Sequence, residues 1–205
     1  FLLFVQISTS SEVTIRIKSI LQIKNLIPIL SGVILAFIPQ MVYWYYLDGS
    51  FIKYTYGQEG FNWFQPQIIK SWFSPNNGLF LYGSVWVLII ISFIYSTLKN
   101  KMLIVYPILF LVITYVTSSW WAWNFGCSYG GRNYVEYLVF FSIPLGFLLS
   151  NFKNWNNPIK LLFVMTNLLF IALNLHLIYV FDDCFFGNGD WDWVAYQNLI
   201  TKNFY

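Results

Sequence analysis

Arg132 stands directly after Gly130 and Gly131, an order of residue types that suits an anion. A guanidinium carries a permanent charge and a planar fork of donors for phosphate oxygens, while glycine lets backbone N–H groups approach the same oxygens closely. A helix starting near Asn133 or Tyr134 would add its positive N-terminal end. Tyr129, Trp121 and Trp123 lie just upstream, so rings able to stack on a sugar or a lipid head group neighbour the charge. Glu136, four residues beyond Arg132, is either a carboxylate available to a proton or an ion-pair partner for the arginine. The competing reading of Arg132 is an interfacial cation, bound to lipid phosphates or paired with Glu136.

Other polar groups carry less. Asp182, Asp183, Asp190 and Asp192 are read as a hydrated tail rather than as general bases. His176 lies among apolar neighbours, where a satisfied hydrogen bond inside the membrane explains it. Cys127 and Cys184 are the only cysteines, and neither belongs to a CxxC or Cys/His cluster. No metal site is therefore expected, and the two are read as unpaired thiols, although their compartment permits a disulfide. No P-loop, HExxH or GxSxG pattern occurs, no catalytic residue is assigned, and the cofactor is left unknown.

The elements that must position these residues are five uncharged apolar runs, 25–47, 71–98, 102–131, 137–152 and 161–181. A spanning helix needs about 20 predominantly apolar residues. The fourth run reaches that length only by taking in Tyr134, Val135 and Glu136, which puts Glu136 at the membrane edge. The composition is 58% hydrophobic, 22% aromatic and 9% charged, with mean hydropathy +0.60, against about 25% charged residues in soluble domains. The expected fold class is all-α: a polytopic transmembrane helix bundle of five full spans plus the end of an earlier one at residues 1–5, with the 205 residues forming a single transmembrane domain. Opening on Phe1, the chain is read as the C-terminal part of a longer protein. Pro39 is expected to kink the first span, residues 64–73 to form a short interfacial helix, and Gly126, Gly130 and Gly131 to stop the third span.

Charge separates by face. Arg16, Lys18, Lys24, Lys99, Lys101, Lys153 and Lys160 fall in short connectors on one side, where Glu12 is the only acid. Lys53, Lys70, Arg132 and Lys202 fall on the other, with Asp48, Glu59, Glu136 and the four aspartates of the tail. Short basic connectors mark the cytoplasmic side. The loops 48–77 and 118–133 and the tail 182–205 are thus expected outside, which for a bacterial inner membrane means the periplasm. Trp44, Trp63, Trp72, Trp120, Trp121, Trp123, Trp191 and Trp193 gather near that face, either as an interfacial belt or as a folded outer cap with rings for a ligand. The net charge of +3 reflects this topology, and no nucleic-acid partner follows from it.

Ser74-Pro75-Asn76-Asn77-Gly78-Leu79-Phe80, leading into a span, resembles the SPxxGL element found late in bacterial polytopic glycosyltransferases of the C-type fold, relatives of the protein O-mannosyltransferases and aminoarabinose transferases. Trp120-Trp121-Ala122-Trp123-Asn124-Phe125-Gly126-Cys127-Ser128-Tyr129-Gly130-Gly131-Arg132 is similar to their W-W-G-G-x-S-[FY]-G-x-R element, which precedes a proline-containing span like 138–149 with Pro144. Asp190-Trp191-Asp192-Trp193 looks like their ending. Asn77 stands where a basic residue is frequent, and Gly131 where proline is frequent.

The resemblance implies a transferase that takes a sugar from a polyprenyl-phosphate donor at the outer leaflet and passes it to a lipid, glycan or protein acceptor, with Arg132 on the donor phosphate. The family's catalytic acid belongs to a first outer loop that these residues do not include, so no transferase activity is expected of this segment alone. The rival classes are a lipid-linked glycan polymerase or ligase, a non-catalytic membrane subunit, and a transporter. A transporter calls for charge or broken helices near the midplane, or an internal repeat; the sequence has no repeat and no midplane charge beyond His176.

Overall fold

The structure, a computed structural model, describes residues 10–53, 57, 59–181 and 189–202. Residues 1–5, Asp182, Asp183 and Cys184, on which several expectations rested, lie outside the described residues. The fold is all-α, 74% helical, with no strand among the described residues. Among the described residues, four helical segments are long and apolar enough to cross a membrane: Ile23–Asp48, Lys101–Ser118, Arg132–Asn154 and Asn157–Val180.

The chain divides into two compact units, Phe1–Gly60 and Phe61–Tyr205. In the first, α1 (Ser10–Ile20) precedes α2 (Ile23–Asp48), which runs as one helix through Pro28 and Pro39. None of the side chains of α2 is buried. A helix that is apolar all round suits lipid or a protein interior, because it has no polar face to give to water. It stops at Gly49, which takes φ 72° and donates its N–H to the Tyr45 carbonyl at 2.9 Å.

In the second unit the run 71–98 is not one span. Ser74-Pro75-Asn76-Asn77-Gly78 turns the chain and leaves three helices: α3 (Ile68–Phe73), α4 (Leu79–Tyr82) and α5 (Val85–Lys99). Pro75 has no N–H to give a helix, Asn77 adopts φ 65°, and a Cβ at Gly78 would overlap the Ser74 carbonyl oxygen. The interfacial helix expected over 64–73 is likewise only the six residues of α3. The third run also ends early. Entered through the 3-10 turn Lys101–Ile104, α6 (Val105–Ser118) stops well before Gly126. Its last carbonyls are taken by another segment, with the Asn62 N–H on Ser119 O at 2.6 Å and the Gln67 N–H on Ser118 O at 2.9 Å. The fourth run does reach spanning length by including residues 134–136, as a 3-10 helix Arg132–Tyr137 continuing into α7 (Leu138–Ser150). After it come α8 (Asn157–Val180) and the short α9 (Trp193–Thr201).

Rings fill the core where α5, α6 and α7 meet. Trp86, Phe93, Phe110, Tyr134 and Phe141 are all buried. Phe93 lies 5.4 Å from Phe141 and Trp86 lies 5.6 Å from Tyr134 between centroids, both edge to face. That geometry sets the positive ring edge against the negative face. The Tyr134 hydroxyl also has partners: it meets Thr114 Oγ1 at 3.1 Å and Ser71 Oγ at 3.3 Å, and the Trp72 indole N–H reaches the same threonine at 3.3 Å. This small polar knot fastens α3 and the 3-10 helix to α6.

Candidate functional site: a cap built from three segments

The segments that precede α5, join α6 to α7 and follow α8 interlock through hydrogen bonds and ring contacts between residues far apart in sequence. Residues 61–67 lie along the end of α6, where Phe61 pairs with Trp120 in a single antiparallel bridge and the Tyr115 hydroxyl reaches the Trp63 carbonyl at 2.7 Å. Asn77, buried at 4% exposure, donates both amide hydrogens into the Trp/Gly loop, to Asn124 O at 3.0 Å and Gly126 O at 2.8 Å. Ser74 Oγ bonds to the Asp190 carbonyl, and Lys70 forms an ion pair with the Asp190 carboxylate at 2.9 Å. The Tyr196 hydroxyl of α9 donates to Leu81 O at 3.0 Å. Thus 74–80, 120–132 and 190–193 form one cap.

Tyr82 is its centre. It is 1% exposed, donates to Pro75 O at 2.7 Å, and lies edge to face with Tyr129 at 5.4 Å and Tyr196 at 5.6 Å. Tyr129 in turn donates to the Tyr82 carbonyl at 3.2 Å. Burial raises the pKa of all three phenols: Tyr82 well above its ordinary value, with Tyr196 and Tyr129 adding to the effect, Tyr129 to about 12, and Tyr196 in the same direction. Each phenol is held neutral and serves as a hydrogen donor to a carbonyl.

The two glycines before Arg132 serve this packing. A Cβ on Gly130, which has φ 61°, would lie 2.7 Å from the Tyr82 Cβ, and one on Gly131 would lie 2.9 Å from the Leu79 Cδ1. A side chain at either position would crowd α4, most severely at Gly130. Arg132 itself is exposed and opens the 3-10 helix Arg132–Tyr137, which Tyr134, fully buried two residues on, pins to the core.

No family model, curated protein or solved structure matches the chain.

Glu136 is exposed and makes no ion pair with Arg132; among the described residues the salt bridges are Lys53 with Asp48 and Lys70 with Asp190. The reason is local geometry. An α-helix brings i and i+4 onto one face, whereas three residues per turn set them about 120° apart. Trp121 is exposed and Trp123 half-buried in the loop that passes through Phe125 and Gly126, both at positive φ. Cys127 is disulfide-bonded, which corrects the reading of it as an unpaired thiol; the chain's other cysteine, Cys184, lies outside the described residues. His176 has its hydrogen bond, to Ile200 O of α9 at 2.7 Å. Asp190 and Asp192 are structural rather than merely hydrated: besides the ion pair of Asp190, Asp192 Oδ1 accepts the Ala195 N–H at 2.9 Å and caps α9.

Asn77 Oδ1, Ser128 Oγ and Asn133 Nδ2 are buried in the cap without a hydrogen-bond partner among the described residues. Buried groups of this kind ordinarily engage water or a polar ligand. Sequence reasoning gave no role to Lys70, Tyr82 or Tyr196, and met Asn77 only as a position of the resembling element and Tyr134 only as part of the fourth span. Only Asn77, an asparagine before glycine in a Ser-Pro turn, carried a local signal for its left-handed backbone.

Proposed function

We propose that the chain is the membrane portion of a glycosyltransferase that draws a sugar from a polyprenyl-phosphate donor at the outer leaflet of a bacterial inner membrane and passes it to a lipid, glycan or protein acceptor. The observation that carries the reading is convergence. The three segments that resemble elements of the C-type transferases, distant in sequence, belong to one cap, and Arg132 is exposed there with no carboxylate paired to it among the described residues. In such a transfer the bond from the sugar's anomeric carbon to the carrier phosphate breaks while the bond to the acceptor oxygen forms, and negative charge develops on the departing phosphate. A guanidinium at that point stabilises the charge as it appears. In this arrangement the cap faces the periplasm, and Lys99, Lys101, Lys153 and Lys160 lie in the short connectors on the cytoplasmic side.

The test is transfer from labelled polyprenyl-phosphate sugars in the membranes of the protein's own host, wild type against Arg132→Ala. A loss of about 10²-fold or more in turnover is expected at equal protein level. Arg132→Lys should recover part of it, because the charge returns without the bidentate fork. Unchanged turnover in Arg132→Ala would remove the arginine from the mechanism.

A further inference from the structure

The cap carries a second feature that the donor chemistry does not use. Pro66, Gln67, Ile68, Ile69 and Lys70 on one side and Trp191 on the other bound an open cleft of about 500 Å³, within the range of about 300–1,000 Å³ for small-ligand sites. Three properties of its walls belong together. Trp191 is 44% exposed and lies 6.4 Å from the roughly parallel ring of Trp193, so an indole is held in place beside solvent. Lys70 lines the cleft and is joined at 2.9 Å to the carboxylate of Asp190, the residue before Trp191, with side-chain exposures of 33% and 32%. Gln67 also lines the cleft, with its amide nitrogen donated to Gln65 O at 3.0 Å.

We infer that the cleft between α3 and Trp191 is a binding site for a neutral glycan, one pyranose ring lying on the Trp191 indole with its hydroxyls on the Lys70–Asp190 pair and the Gln67 amide. A pyranose has an apolar C–H face for an aromatic ring and hydroxyls that both give and accept. The cleft supplies a ring and a donor, and the carboxylate paired with that donor can accept. Because the ammonium and carboxylate cancel, the cleft has no net charge with which to favour an anion such as phosphate over an uncharged sugar. The inference does not rest on the transferase reading.

The test is saturation-transfer NMR on the protein in phosphatidylcholine nanodiscs, with methyl glycosides of gluco, galacto and manno configuration and their trisaccharides as probes. Transfer to at least one saccharide is expected. Trp191→Ala should weaken its binding about ten-fold, the equivalent of about 1.4 kcal/mol, with Trp191→Phe retaining most of it. Gln67→Leu provides a variant that leaves the indole, the ion pair and the backbone bond from Gln67 to Ser118 intact, and it should also weaken binding. No transfer to any saccharide, transfer unaltered in Trp191→Ala and Gln67→Leu, or contacts from Trp191 to the lipid choline group alone would overturn the inference. The last of these would make Trp191 an interfacial anchor. Because binding is read without turnover, its failure is separate from failure at Arg132.

Discussion

Replacing three glycines of the Trp/Gly loop by alanine separates backbone strain from steric overlap, because the three sites differ in one term at a time. Gly126 has φ 69° and open space where an alanine Cβ would sit, with nothing within 4 Å, so Gly126→Ala meets strain alone, about 1–2 kcal/mol for a side chain in the left-handed region. Gly131 has φ −74°, an ordinary value, and its new Cβ would meet the Leu79 Cδ1 at 2.9 Å. A terminal methyl group rotates aside, so Gly131→Ala should cost about 1 kcal/mol. Gly130 combines φ 61° with a contact of 2.7 Å to the Tyr82 Cβ. That atom is fixed to the backbone of α4 and has no rotamer to yield, so overlap of about 1–3 kcal/mol adds to the strain, giving about 2–5 kcal/mol in all. Reversible chemical denaturation of the protein in detergent micelles measures each. The expected order places Gly130→Ala well below the other two in stability. If Gly130→Ala is no worse than Gly126→Ala, the close seating of the loop on α4 is wrong.

Asn77→Ala removes two hydrogen bonds to loop carbonyls and should lower stability by about 2–4 kcal/mol in the same denaturation assay. Asn77→Asp should be at least as harmful, since it sets a carboxylate against both carbonyls; tolerance of Asp would contradict the donor assignment. The raised pKa values of Tyr82, Tyr129 and Tyr196 make stability pH-dependent on the alkaline side. Their contribution is complete below the unfolded value of 10.0 and falls as pH rises from there toward the value of about 12 at Tyr129, because the unfolded phenols ionise first. Denaturation midpoints taken between about pH 8 and pH 11 should decline, and Tyr129→Phe should flatten the decline. For sidedness, cysteines placed singly at positions 132 and 153 should react with an impermeant maleimide from opposite sides of sealed vesicles; reaction from the same side would refute the outward cap.

The apolar runs were legible because lipid imposes a simple condition: about 20 residues without charge. That condition identified the segments containing α2, α6, α7 and α8. It failed at 71–98 because hydropathy counts apolar residues and is blind to chain direction; the outer loop expected over 48–77, which takes in Ser74-Pro75-Asn76-Asn77, was the better guide to the turn there. It failed again at the end of α6, where hydrogen bonds from Asn62 and Gln67, more than fifty positions upstream, set the stop. In the candidate site, Arg132 and its glycines stood out by residue type. The partners that explain the glycines, Tyr82 and Leu79, did not, since a close approach between distant segments has no local signature. Asp190 looked like one of several tail acids until the fold supplied Lys70.

The breaking of the 71–98 run also bears on the bilayer around the protein. What remains, α5, has 15 residues, a rise of about 22 Å, against about 30 Å of hydrocarbon. Such hydrophobic mismatch is met by thinning of the surrounding lipid or by a locally sunken protein surface. Beside α5 the floor of the cap would then lie below the general headgroup level, and the lipid-borne donor of the proposed transfer would meet it with its head group there and its tail in the hydrocarbon.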